Sequence, residues 1–347
     1  MEVRESKRLH VMEPSQVGEA RRLAAALSLA VGFDETRIGH VSIVVTELAT
    51  NLLKHAQGGD LVLSTFQVED QTGIEILSLD KGPGIRNINE SLRDGYSTAG
   101  SPGTGLGAIQ RLSTTFDLYS TPGQGVAALS RIMRQSSPVY IPYPSAPANA
   151  PELGMISLPV KGEEECGDTW ATHQSPGRTL VLLADGLGHG HFAAEAAGEA
   201  RIMFHKYAHL SPGQIIAHMH NAMRHTRGAA VAIAELILSQ RILRYAGVGN
   251  ISGRILSDTE THSLISYNGT VGLEARRIQE MTYPWPNGGL LIMNSDGVDS
   301  RWNLDNYPGL RRKHPTLIAG VLFCHHNRPN DDASILVFNE TGGPAWD

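Results

Sequence analysis

The chain has 347 residues, 41% of them hydrophobic and 18% charged, with a formal net charge of −6. That length accommodates two domains, and the composition is that of an ordinary globular protein rather than a disordered one. The acidic balance, with no cluster of Lys and Arg, argues against a nucleic-acid or anionic-membrane surface. Two cysteines, Cys166 and Cys324, are too few for a disulfide framework. The first residues lack a signal peptide's apolar core and no apolar run spans a bilayer, so the expected location is cytoplasmic.

In chain order, residues 2–12 mix β-formers with charges and predict an edge strand. Amphipathic helices are predicted over 14–31 and 34–56, strands over 60–68 and 73–80, a helix from about Gly105, and strands near 116–121 and 125–133. This pattern predicts a helix-on-sheet sandwich. Between Gln135 and Pro151 five prolines disfavour helix and ladder pairing alike, which places a linker there. The expected division is therefore 1–134, a proline-rich linker at 135–151, and a second domain at 152–347.

In that second domain, helices are predicted at about 189–208 and 212–226, strands from 230 to 295, a helix near 314–326 and a closing strand at 333–338. Both halves read as α+β layers. Met155, Met203, Met219 and Met223 fall in apolar patterns and read as core residues.

Glu47, Asn51 and His55 recur at four-residue steps and share one face of the second helix. An acid, an amide and an imidazole on a helix otherwise rich in Val, Ile and Leu point to a cleft, although a solvated polar face gives the same pattern. Two glycine motifs follow, Asp80-Lys-Gly82-Pro-Gly84 and Gly103-Thr104-Gly105-Leu106-Gly107. An acid at a strand end can accept from an exocyclic amine, glycines admit close backbone approach, and free N–H groups opening a helix can hold phosphates.

In this order and spacing the motifs resemble the Bergerat-type (GHKL) ATP-binding fold, and within it the small anti-sigma-type serine/threonine kinases such as the stressosome switch kinase. The resemblance covers roughly residues 5–135. It implies that Asn51 binds the Mg²⁺ of Mg-ATP and Asp80 reads the adenine amine. Gly82 and Gly84 would shape the base pocket, with Gly103, Thr104, Gly105, Leu106 and Gly107 in the lid and phosphate loop. Glu47 would orient or deprotonate the attacking serine hydroxyl, and Lys54 and His55 would contact phosphates. Relatives of this fold also use ATP only to change shape, so phosphotransfer and ATP sensing both stay open.

In the second half Asp168, Asp185, Asp296 and the pair Asp331-Asp332 stand at strand ends. Acids without a matching set of His or Cys suit hard, oxygen-preferring cations, although Asp-Gly pairs also simply make turns. The ordered set, with Gly247-Val-Gly-Asn250, resembles the metal-dependent PPM protein phosphatases, αββα sandwiches. Within that family it is most similar to the sporulation stage II E-type branch and the stressosome feedback phosphatase.

That resemblance implies two Mn²⁺ or Mg²⁺ ions and an activated water attacking phosphoserine or phosphothreonine. Asp185 would bridge the ions, with the Gly186 carbonyl and Asp168 completing one site. Asp296 and Asp331 would hold the other, Asp331 being preferred over Asp332. No counterpart of the eukaryotic phosphate-gripping arginine is identifiable; Arg178 is predicted to point elsewhere, and His189 and His191 are expected to cap or lie on the surface.

The combined expectation is a kinase and a phosphatase acting in opposition on STAS-domain or anti-sigma pathway proteins, with a homodimer possible. The alternatives are a phosphatase regulated by a non-catalytic ATP-sensing domain, or an anti-sigma-like binding module without phosphotransfer.

Overall fold

Residues 2–68, 71–92, 105–134 and 152–340 are described by the computed structural model. They fall into two units: the first joins the residues up to Ala150 with Asn303–Cys324, and the second holds Pro151–Trp302 and His325–Thr341. The expected linker, 135–151, lies outside the described residues.

The first unit begins with β1 (Glu2–Val11), α1 (Pro14–Ala30), α2 (Glu35–Ala56), β2 (Gly59–Val68) and β3 (Gln71–Leu79). It continues with α3 (Ile88–Ser91), α4 (Gly105–Leu112), β4 (Thr115–Ser120) and β5 (Val126–Met133). The strands form one antiparallel sheet in the order β1-β2-β3-β5-β4, which puts β1 on the edge. Every long element was legible as a hydrophobic period; α3, a single turn, is too short to show one.

Helix α2 starts where the Asp34 side chain accepts from Arg37 N at 2.7 Å and ends on Gln57 in the left-handed region, at φ 61°. Its Val41, Val44, Val45, Leu48, Ala49 and Leu52 are buried on one stripe against Ile74 and Ile76 of β3 and Leu61 and Leu63 of β2. The polar face that carries Glu47 and Asn51 is thereby turned away from the core.

The other face of this sheet is covered too. From Ile74 to Leu79 every β3 residue is buried, including Glu75 at 3% exposure. Glu75 pairs with Arg131 at 2.7 Å and accepts from Thr316 Oγ1 at 3.2 Å. Buried Asp117 of β4 accepts from Lys313 Nζ at 3.0 Å and His314 N at 2.8 Å. These partners lie in and just before α7 (Pro315–His326), which is apolar and buried nearly all round. A side chain at Gly320 would crowd Leu77 and Leu79, so the helix approaches the sheet through a glycine.

The second unit contains β6 (Glu152–Leu158), β7 (Asp168–Ser175), β8 (Arg178–Gly186), α5 (His191–Lys206), α6 (Pro212–Ala222), β9 (Ala229–Ile237) and β10 (Ile242–Val248). After these come β11 (Ser252–Leu256), β12 (Thr261–Leu264), β13 (Glu280–Pro284), β14 (Leu290–Asn294) and, beyond the excursion through α7, β15 (Ala333–Asn339). Two antiparallel sheets result, β13-β10-β9-β8-β7 and β12-β11-β14-β15-β6.

Strand alternation on β8 explains the layering. Leu180, Leu182 and Ala184 pack on Phe204, Ile215, Ile216 and Met219 of α5 and α6, while Val181 and Leu183 face Leu291, Met293 and Leu336 of the other sheet. Met155, Met203, Met219 and Met223 are all buried, as the sequence predicts. Among the described residues no helix is long and apolar enough to cross a membrane.

Candidate active sites

In the first unit α2 presents Glu47 and Asn51 toward the start of α4. A β-carbon at Gly105 would lie 3.0 Å from Glu47 Oε2 and 4.0 Å from Asn51 Oδ1, so the glycine lets the helix N-terminus close on both side chains. Leu106 packs against the apolar core, and Gly107 is buried. Gly103 and Thr104 lie outside the described residues.

Asp80 stands just beyond β3. Its Oδ1 accepts from Gly82 N at 2.8 Å and Val126 N at 3.1 Å, while Oδ2 has no protein partner among the described residues. Burial raises the Asp80 pKa, opposed by those two N–H bonds and by the charge of His55. Glycines make the surrounding turn possible. A β-carbon on Gly82 would lie 2.8 Å from Ala56, and Gly84, at φ 73°, leaves no room for a side chain beside Thr121 O. His55 and Lys54 are exposed at the end of α2. The unit thus brings Glu47, Asn51 and Gly105 together at one point, with Asp80 and His55 forming a second.

In the second unit Asp168 opens β7 and Asp185 lies near the end of β8, and the register makes them direct cross-strand partners. The other sheet contributes Asp296, two residues beyond β14, and Asp331 and Asp332, just before β15. Burial raises the Asp185 pKa most, followed by the charges of Asp168, Asp296 and Asp331. Asp168, 5% exposed, is likewise raised by burial, against hydrogen bonds from Ser295 and Ser334. Carboxylates from two sheets therefore face one another.

A serine ladder fastens this corner. Ser295 Oγ donates to Asp168 Oδ2 at 2.7 Å and accepts from Ser334 N at 3.0 Å, and Ser334 Oγ bonds Ser157 Oγ at 2.7 Å. Asn250 Nδ2 donates to Asp296 Oδ2 at 2.5 Å. The serines do not figure among the predicted site residues; Ser295 beside Asp296-Gly297 is the one signal the sequence carries for them.

The two adjacent acids part ways. Asp332, 2% exposed, accepts from Val160 N at 2.7 Å and Gly167 N at 2.8 Å, so both its oxygens fasten loops. Asp331 is half-buried and feels Asp296 instead. Gly186 and Gly297 are required sterically, since β-carbons there would lie 2.1 Å from Ala193 O and 1.8 Å from Asp332 O. Arg178 is fully engaged by Glu235 and the carbonyls of Ala208 and Leu210, and His189 and His191 pair with Glu163 and Glu165 at the surface.

Among the described residues no three His, Cys, Asp or Glu side chains are already drawn into a coordination shell. The donor set nonetheless fits a hard divalent cation. All of the side-chain donors are carboxylate oxygens, and Asp168 Oδ1 is buried without a hydrogen-bond partner.

The histidine kinase-like ATPase domain family matches residues 11–130, and the stage II sporulation protein E (SpoIIE) family matches residues 175–339. The serine/threonine-protein kinase RsbT of Bacillus subtilis (strain 168) is 30% identical over 117 residues, covering 34% of this chain and 88% of its own. A chain from work on the bacterial stressosome, a modular system adapted to control secondary messenger signalling, aligns at 26% identity and TM-score 0.51. It covers 55% of this chain and 99% of its own.

Through its first domain the chain belongs to the RsbT-type serine/threonine kinases. Its second half is a SpoIIE-type domain. The Bacillus subtilis SpoIIE structure, described as a PP2C phosphatase domain with a fragment of the regulatory domain, aligns over 96% of this chain and 99% of its own, at 15% identity and TM-score 0.47.

In the RsbT-type domain, α2 and the start of α4 are the elements that bring Glu47 and Asn51 to Gly105. In the SpoIIE-type domain, the strand ends do the same for Asp168, Asp185, Asp296 and Asp331.

Proposed function

We propose that the RsbT-type domain is an ATP-dependent protein serine/threonine kinase and the SpoIIE-type domain a metal-dependent phosphoserine/phosphothreonine phosphatase. The two act in opposition on STAS-domain or anti-sigma pathway regulators in the cytoplasm. The observation that carries this reading is the convergence of Asp168, Asp185, Asp296 and Asp331 from two sheets around an unpartnered carboxylate oxygen.

Two Mn²⁺ or Mg²⁺ ions held there would supply Lewis acidity and a water nucleophile at neutral pH. Asp185, the Gly186 carbonyl and Asp168 would hold one ion, and Asp296 and Asp331 the other. Ser295 keeps Asp168 oriented, and Asn250 does the same for Asp296. Asp332 ties the loops at Val160 and Gly167 to β15 rather than binding metal.

In the kinase domain Asn51 holds the Mg²⁺ of Mg-ATP and Asp80 Oδ2 reads the adenine amine. The backbone N–H groups at Gly105–Gly107 approach the phosphates, and Lys54 and His55 contact them. Glu47 accepts the proton of the attacking serine hydroxyl. Joining both activities in one chain sets a high local concentration of each at a shared partner.

The test is to incubate the purified chain with labelled ATP and a STAS-domain protein, with and without Mn²⁺. Label that appears and is then removed in Mn²⁺ is expected. Phosphate release from a pre-phosphorylated STAS-domain protein without transfer from ATP leaves an ATP-sensing phosphatase, and stable complex formation without either leaves a binding module.

A further inference from the structure

Near the corner that gathers the acids stands Arg227, a cation that the site description does not use. Arg227 lies in the turn Thr226-Arg227-Gly228 that leads into β9. The β8–β9 register pairs Asp185 with Ala230 and Gly186 with Ala229, and Leu187 N donates to Gly228 O at 3.0 Å. Arg227 is thus placed opposite Leu187 and Gly188, the residues that follow Asp185. A β-carbon on Gly188 would lie 3.3 Å from Arg227 Nη1.

The turn itself is built. Thr226 Oγ1 donates to Met223 O at 2.8 Å and accepts from Gly228 N at 3.0 Å. Gly228 has φ 76°, and any side chain there would strike Thr270 and Val271. The guanidinium rests over the Phe192 ring, 4.9 Å from its centroid, which limits its rotamers without neutralising it. Among the described residues no carboxylate pairs with Arg227, although the corner is rich in acids.

Asp168, Asp185, Asp296 and Asp331 repel a phosphomonoester dianion, and two divalent ions at most cancel their charge. An unpaired, pre-oriented guanidinium beside them is suited to bidentate binding of phosphate oxygens. Around it Leu187, Phe192 and Leu273 are 54%, 57% and 54% exposed, an apolar rim of the kind that packs against residues flanking a phosphoserine in a protein.

We propose that Arg227 is the phosphate-binding residue of the phosphatase site, and that Leu187, Phe192 and Leu273 form the rim that receives the polypeptide carrying that phosphate. This deepens the phosphatase reading and rests on it.

The experiment uses the full chain with Mn²⁺ and three probes: p-nitrophenyl phosphate, a leucine-flanked phosphoserine peptide, and inorganic phosphate. Arg227→Ala is expected to raise KM for both substrates roughly 10–100-fold, the usual worth of a charge-assisted pair, with a much smaller change in kcat. The inhibition constant of inorganic phosphate should rise in step, and Arg227→Lys should recover part of the loss. A KM for p-nitrophenyl phosphate within twofold of wild type in Arg227→Ala overturns the proposal.

Calorimetric binding of inorganic phosphate decides the matter without turnover. A phosphatase reading that fails shows no phosphate release by the wild type. The Arg227 inference fails when wild type and Arg227→Ala bind phosphate equally. Leu273→Ser should shrink the preference for the leucine-flanked peptide over free phosphoserine; an undiminished preference removes the rim. If Arg227→Ala does not fold, Arg227→Lys and Arg227→Gln carry the same comparison.

Discussion

Asp168 and Asp185 are cross-strand partners in the β7–β8 ladder, so two buried or half-buried carboxylates are held side by side by backbone register alone. Replacing Asp185 by Asn keeps the ladder and removes the charge. Mn²⁺-dependent phosphate release should fall by more than about a hundredfold, since even outer groups around metal ligands are worth about 10–100-fold. Circular dichroism should be unchanged, and activity close to wild type would sink the assignment.

Metal should stabilise the second unit by mass action. At about a hundred times its Kd, Mn²⁺ adds about 2.7 kcal/mol, read as a rise in Tm. The rise should vanish in Asp185→Asn and weaken in Ser295→Ala. In the latter, Asp168 loses the hydroxyl that orients it, and the apparent Kd for Mn²⁺ should increase about 10–100-fold.

The neighbours Asp331 and Asp332 should separate cleanly. Asp331→Asn is expected to lose activity with little change in Tm. Asp332→Ala strands the Val160 and Gly167 N–H groups and should cost about 3 kcal/mol or more in denaturant unfolding.

For the kinase domain, Glu47→Gln should slow phosphotransfer about a hundredfold or more while Mg-ATP still binds, which filter binding with labelled ATP would show. Asn51→Ala should lose both. A Glu47→Gln protein that phosphorylates its partner at the wild-type rate would remove Glu47 from the chemistry.

His314 supplies a pH dependence in the first unit. It is buried, with its pKa pushed well below 6.5 by burial and then by the charge of Arg131, and its Nδ1 accepts from Thr316 N at 3.1 Å. With the folded pKa depressed, the unfolded chain binds more protons below 6.5. Stability is therefore complete above that pH and is lost as pH falls toward the folded value, by at most about 1.4 kcal/mol per pH unit. Thermal melts from pH 7.5 to 5.5 should show the decline, and His314→Gln should flatten it.

The long elements were legible because each carries its own period: the stripe of Val41, Val44, Val45, Leu48 and Leu52 on α2, and the alternation of Leu180, Leu182 and Ala184 with Val181 and Leu183 on β8. Asp185 and Asp296 could be singled out for a similar reason, since an acid followed by glycine at the end of an apolar run is a local pattern; at Asp80 the glycine, Gly82, comes one residue later. Glycines at 186 and 297 then proved to be steric necessities rather than turn-formers alone.

Pairings between residues far apart in sequence were beyond it. Nothing local distinguishes Asp331 from Asp332, because adjacent residues at a strand's start point to different partners and only the position of the Val160 and Gly167 N–H groups decides which is structural. The role of Ser295 depends on a contact with a residue 127 positions earlier. Helix α7 is apolar nearly all round, so its sequence declares burial but not against what; the buried charges Glu75 and Asp117 select Thr316, Lys313 and His314 and thereby join Asn303–Cys324 to the first unit. The sequence by itself determined the elements and the inventory of acids, through short-range periodicity and turn chemistry. Only the tertiary structure decided which acids meet, which are used up as fasteners, and that Arg227 has no carboxylate partner among the described residues, because hydrogen bonds and Coulomb interactions depend on distance in space.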